Sequence, residues 1–284
     1  MTTADVLLRV RDLHIRLTAA AGAVTPVRGV SFTLGRERLG IVGESGSGKS
    51  LTARSLLGLL PAGGQVSASE LRLGNTDLLA LKPSAWRQVR GRRIGMILQD
   101  PRHALHPVRS IGAQIVEVLQ LHRQVGRYEA WERAARLLES VRIRDPERVL
   151  NAFPHEISGG MGQRAMIALM IAAEPEVLVA DEPTSALDLN VQNQVLSVLD
   201  EQVTRRGMGL ILIGHDLDLV ARFCDRILVM YGGRIVEELA SSELRHAQHP
   251  YTRGLLACVP QLGAQAAALP TLTRDAAWLE GAAA

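Results

Sequence analysis

Apolar positions fall into short runs along this chain, and the period of the runs changes twice. Over the first forty residues VLLRVRDLHIRL, VRGVSFTL and RLGIVG read as strands, with 18–26 between the first two expected to be a loop of small residues. IVG leads into a glycine-rich turn and then a helical pattern over 50–60, which Pro61-Ala-Gly-Gly should stop. Gly95-Met-Ile-Leu is another buried-strand candidate, closed by Gln99-Asp-Pro. From about 103 to 172 the period becomes helical. Ile111, Ile115, Val118 and Leu119 share one face, Trp131, Leu137, Leu138 and Val141 suggest a second helix, and 161–173 suggest a third opening after Ser158-Gly-Gly. Strand runs then return. Glu176-Val-Leu-Val-Ala ends at Asp181, and Gly209-Leu-Ile-Leu-Ile-Gly ends at His215, with a helix over about 190–205 between them. Ile227-Leu-Val-Met-Tyr, Gly232-Gly233 and Arg234-Ile-Val-Glu-Glu read as a hairpin. Continuous apolar strands separated by helices argue an α/β fold with a mostly parallel sheet, into which the helical stretch is inserted.

Composition narrows the class. With 284 residues, 47% of them hydrophobic, and a net charge of +3, the chain is neither disordered nor strongly basic, and nucleic acid is not an expected partner. Cys224 and Cys258 have no metal-site or disulfide-framework spacing, and no apolar run reaches the roughly 18 residues of a membrane span. A soluble protein of a reducing compartment is expected. Of 32 basic residues only Lys49 and Lys82 are lysines, so a lysine in a motif carries weight.

Gly43-Glu44-Ser45-Gly46-Ser47-Gly48-Lys49-Ser50 fits G-x-x-x-x-G-K-[ST] where that motif belongs, after a buried strand and before a helix that Leu51 continues. Glycines let the backbone curl so that N–H groups face a phosphate chain. Lys49 would reach the β and γ phosphates, and Ser50 would ligate Mg²⁺. Asp181-Glu182, two carboxylates ending an apolar strand, are the expected companions, with Asp181 on Mg²⁺ and Glu182 polarising an attacking water. Up to this point the residues describe a P-loop ATPase.

Ser158-Gly159-Gly160-Met161-Gly162-Gln163-Arg164, 23 residues ahead of Asp181, resembles the signature motif of ATP-binding-cassette (ABC) proteins. Gln99 resembles the Q-loop glutamine, Ser185-Ala-Leu-Asp188 the D-loop and His215 the H-loop histidine, all in the family's order. The resemblance covers roughly residues 5–262. It implies a RecA-like P-loop core with an N-terminal antiparallel β part and an inserted helical subdomain at about 103–172, forming one domain over 1–262 with a tail at 263–284. It also implies that two cassettes meet head to tail. Ser158, Gly159 and Gly160 would then contact ATP held by the partner, Gln163 and Asp188 would also belong to the nucleotide-binding set, Gln99 would sense Mg²⁺, and His215 would contact the γ-phosphate and steady Glu182. His249-Pro-Tyr-Thr-Arg-Gly-Leu-Leu and Val259-Pro260 resemble the C-terminal segment of oligopeptide, dipeptide and nickel importer ATPases. Such ATPases work at the cytoplasmic face of the membrane, paired with a second ATPase under two permeases that a solute-binding protein feeds. The chain shows no cysteine-rich segment near its end, which tilts the expected cargo from peptides toward nickel or a metallophore. A non-transport cassette of translation or DNA-repair type is the alternative. The slot for an adenine-stacking aromatic falls at Leu17, with Val24 or Pro26 able to cover the base instead.

Overall fold

The computed structural model describes residues 6–19, 22–185, 187–258 and 278, and divides into two compact units, 1–81 with 211–284 and 82–210. In chain order the first unit holds β1 (Leu8–Ala19), β2 (Gly22–Leu34), β3 (Arg38–Val42), α1 (Lys49–Ser55), β4 (Gly64–Ser67), β5 (Glu70–Leu73) and β6 (Thr76–Asp77). The second holds β7 (Ile94–Ile97), α2 (Ile111–Arg123), α3 (Arg127–Ser140), α4 (Pro146–Asn151), α5 (Gly159–Ile171), β8 (Val177–Asp181) and α6 (Leu189–Arg206). The chain returns to the first unit through β9 (Gly209–Gly214), then α7 (Leu217–Phe223), β10 (Arg226–Tyr231), β11 (Arg234–Ala240) and α8 (Pro250–Ala257).

In the first unit an antiparallel sheet runs β2-β1-β5-β6, with β4 also paired to β1. Leu8 and Val10 are buried and then Leu13 and Ile15, so the alternation slips by one residue. The slip is a bulge at Asp12, whose φ of 51° re-aims the strand while its N–H finds Ser31 Oγ at 2.9 Å. The expected loop at 18–26 is instead the outer half of the β1–β2 hairpin. Leu17 opposes Val24, Thr18 opposes Ala23 and Ala19 opposes Gly22. Small side chains do not prevent a ladder when a second edge is also satisfied, and here the Thr18 N–H reaches Gly63 O at 3.1 Å. The helix expected over 50–60 stops at Ser55, because Leu57 and Leu59 both turn their N–H groups back to Arg54 O. A second sheet places β3 beside parallel β10, and β10 forms the expected hairpin with β11. Arg226, opening β10, fastens that corner to Glu37 Oε1 at 2.8 Å and to Thr33 O at 2.6 Å.

In the second unit β7 and β8 pair in parallel and are buried throughout, as continuous apolar runs require. Four helices open on a side-chain cap: Ser110 for α2, Asp145 for α4, Ser158 for α5 and Asp188 for α6. Each such cap satisfies first-turn N–H groups and contributes about 1 kcal/mol. α5 is apolar almost all round and buried from Ala165 to Leu169, so it forms the spine of this unit. Among the described residues no helix is long and apolar enough to cross a membrane.

Candidate active site

The phosphate-loop motif occupies the turn from β3 into α1. Gly43 has φ 151°, and a Cβ there would stand 2.1 Å from Met230 O, so no other residue fits. A Cβ on Gly48 would stand 2.8 Å from Pro26 O, which ties the loop to the β1–β2 hairpin. Lys49 is 5% exposed. Its ammonium donates to Gly43 O at 2.7 Å and Glu44 O at 2.8 Å, with Ser47 Oγ at 3.5 Å. Ser45 and Gly46 form the exposed crest, while Ser47 and Gly48 are buried and Ser50 and Leu51 half-buried. Gly48 occupies the cap position of α1 with φ 101°, and glycine has no side chain with which to cap the first turn. Lys49 thus folds back on its own loop and closes a ring over Gly43 and Glu44, and a glycine-rich ring with an ammonium is of the kind that suits phosphate oxygens.

In the second unit β8 delivers Asp181, 6% exposed, and then Glu182, half-buried with φ 49°. That left-handed conformation costs a non-glycine residue roughly 1 kcal/mol or more. It persists because the following turn holds it: Ser185 donates from both N–H and Oγ to the Glu182 carbonyl, at 3.4 and 3.2 Å. Asp188 caps α6 through Oδ1 to Asn190 and Val191 N–H, and Ala186 in the same run lies outside the described residues.

Ser158 and Gly159 are exposed at the start of α5, and Ser158 Oγ accepts from Met161 N–H at 3.4 Å. The two signature glycines differ. A Cβ on Gly160 would come within 2.6 Å of Val191, whereas one on Gly159 would meet nothing within 4 Å. Gln163, one turn along, is buried at 1% exposure with its Nε2 unpartnered. Gln99 is exposed after β7 and shares with Ser158 a cavity of about 540 Å³, whose walls include Pro101, Leu105 and Ile157 as well as the polar Asp100, Arg102 and His155. In the first unit His215 stands exposed at the end of β9.

A family model described as ABC transporter matches residues 27–185, more than half of the chain. The chain belongs to the ABC transporter family. As a member it binds nucleotide and is an ATPase. This ABC ATPase is 48% identical, over 90% of its length and 78% of the relative's, to a probable peptide ABC transporter ATP-binding protein of Sinorhizobium fredii. It is 42% identical to the oligopeptide transport ATP-binding protein OppD of Escherichia coli, over 95% of the chain and 80% of that protein. Against OppD of Mycobacterium tuberculosis the identity is 47%, but the cassette spans only 42% of that relative's length. Among solved structures, an ATP-binding cassette captured as a dimer after hydrolysis with ADP and Pi shares the fold, with a TM-score of 0.71 over 82% of this chain and 98% of its own, at 24% identity.

Motif reading missed one contact. The Tyr251 hydroxyl accepts the Glu44 N–H at 2.8 Å, so the segment read only as a packed turn opening a helix reaches the phosphate loop. His249 does cap α8, through Nδ1 to Tyr251 N–H, as that reading expected. Val259-Pro260 and all of the tail except Trp278 lie outside the described residues.

Proposed function

We propose that the chain is one ATPase of a peptide-importing ABC transporter, working beneath two permeases at the cytoplasmic face of the membrane. The observation that carries this reading is the ring closed by Lys49 over Gly43 and Glu44, in a chain whose quoted relatives are named for peptide or oligopeptide transport. Those names favour peptides over the nickel cargo toward which the missing cysteine segment tilted the sequence reading. Lys49 exchanges its loop carbonyls for β- and γ-phosphate oxygens. Ser50, Asp181 and Gln99 offer a hydroxyl, a carboxylate and an amide oxygen, a hard all-oxygen set that suits Mg²⁺. That ion would neutralise charge on the phosphates. Glu182 takes a proton from the attacking water as its oxygen bonds to the γ-phosphorus and the bond to the bridging oxygen breaks, releasing ADP and phosphate. His215 would contact the γ-phosphate. Gly159, open where a Cβ would sit, supports close approach of a second ATPase's nucleotide to Ser158, Gly159 and Gly160. The cavity walled by both Gln99 and Ser158 supports a coupling role, since an occupant there would touch both segments. Uptake of labelled di- and oligopeptides and of nickel by a strain lacking this gene tests the proposal. Peptide uptake should fall while nickel uptake holds, and the reverse would reassign the cargo.

A further inference from the structure

The second unit has a cavity that ATP hydrolysis does not use. It has a volume of about 620 Å³ and lies between the turn at 84–92 and the C-terminal end of α2. Arg87, Arg90 and Arg92 line one side and His122 and Arg123 the other, and every remaining lining residue is neutral. Basic residues in the last turn of a helix complement its carbonyl end, which accounts for His122 and Arg123 but not for three arginines from a separate turn. The backbone brings the two groups together at Gly91, where a Cβ would stand 3.1 Å from His122 Nε2. Arg123 pairs through Nη2 with Glu174, which does not line the cavity, and its Nε is buried with no hydrogen-bond partner. Burial first, and then the neighbouring Arg92 and Arg123, hold the His122 imidazole below its ordinary pKa. Like charges gathered round one cavity oppose one another and favour entry of an anion, and a guanidinium's planar fork matches phosphate oxygens in pairs.

We propose that this cavity binds a small polyvalent phosphate, either a free phosphate ester or the headgroup of an anionic lipid. Its size falls within the roughly 300–1,000 Å³ of small-molecule sites. Arg90 lies over the Trp86 ring, 5.1 Å from the centroid, so tryptophan emission reports on occupancy. Tripolyphosphate is titrated without Mg²⁺ into the full chain carrying Lys49→Ala, which disables the other phosphate site. Phosphatidylglycerol and phosphatidylcholine vesicles are floated in parallel. Saturable binding of tripolyphosphate that weakens about tenfold or more in Arg92→Gln/Arg123→Gln supports a free ester. Flotation with phosphatidylglycerol alone, lost in the same variant, assigns the headgroup. Arg87→Gln, at an exposed position, repeats either test if the double variant melts early. Absence of both kinds of binding, or binding that none of these substitutions changes, overturns the proposal.

A separate observation concerns Tyr251, which is fully buried in the first unit. Its ring lies 4.5 Å from that of Tyr231 and 5.6 Å from that of Trp278. The backbone of Glu44 is held on both sides, its N–H by Tyr251 Oη and its C=O by Lys49 Nζ. When Lys49 leaves for phosphate, the tyrosine bond remains. We infer that Tyr251 is a positioning residue that keeps the phosphate loop open in shape during that exchange, an inference resting on the phosphate-cradle reading of 43–50. Tyr251→Phe preserves the ring packing and removes the hydroxyl. It should weaken ATP and GTP alike about fivefold, the loss of one hydrogen bond, with little change in melting temperature. Wild-type binding that does not depend on Lys49 would sink the cradle reading. Lys49-dependent binding with Tyr251→Phe equal to wild type would sink this inference alone.

Discussion

The phosphate loop and the signature segment both place glycine and serine at the start of a helix, yet one is closed and the other open. At the loop, Lys49 and Tyr251 fill the inner hydrogen bonds and a Cβ at Gly43 or Gly48 would strike backbone. At the signature, Ser158 makes one cap bond, Gly160 packs on Val191, and Gly159 faces open space. One segment is braced from within, whereas the other leaves its first glycine unobstructed. That contrast fits the proposal that the first would hold its own ligand and the second would meet one carried by another cassette.

The largest effect tests whether chemistry belongs to the acid pair rather than to either glycine segment. Glu182→Gln should retain ATP binding and lose about 10²–10⁴-fold in turnover, measured by phosphate release, since the amide no longer accepts the proton. Normal turnover in that variant would move the base elsewhere, His215 being next in line. The comparison itself is broken or sharpened by a pair of alanines. Gly43→Ala should cost about 1–3 kcal/mol or more through the clash with Met230 O and lose nucleotide affinity. Gly159→Ala should leave the melting temperature unchanged and lower turnover only where a second cassette is present. Equal melting temperatures for the two variants would erase the distinction.

A smaller effect is expected at the hairpin beside the loop. Leu17, half-buried opposite Val24, would offer adenine only apolar contact if the base lies there, so discrimination between ATP and GTP should be weak. Leu17→Tyr should tighten ATP about fivefold, at the low end of base–aromatic stacking, as competition binding would show. A strong native preference for ATP with no gain in the variant would place the base elsewhere. The smallest effect is the acid response of the corner at Glu37. Burial raises its carboxyl pKa, but Arg226 outweighs that and leaves it below the usual value. A lowered folded pKa means stability that is present above the unfolded value and lost as pH falls through the folded one. Glu37→Gln should therefore flatten the fall in melting temperature on acidification below the ordinary glutamate range, and an unchanged acid slope would remove Glu37 from it.

Much of this was legible in the sequence because it depends on local rules. The strand before Gly43, the helix caps at Ser158 and Asp188 and the acid pair at the end of β8 each follow from neighbouring residues. The family's motif order suggested the remaining candidates, Gln99 and His215. What stayed hidden depends on contacts distant in sequence or on backbone angles. The bulge at Asp12 needs Ser31, the ladder through 18–24 needs Gly63, and the grip on Glu44 comes from Tyr251, 207 residues away. The left-handed Glu182 is set by the turn after it, which no residue-type pattern announces.

The central claim is that the cradle around Lys49 becomes a working site only when another cassette supplies a signature. Turnover per chain, measured for the purified protein from nanomolar to tens of micromolar concentrations, tests it most directly. Slow turnover that rises with protein concentration as chains meet is expected. A rate as high as that of an assembled transporter, and constant across that range, would contradict it.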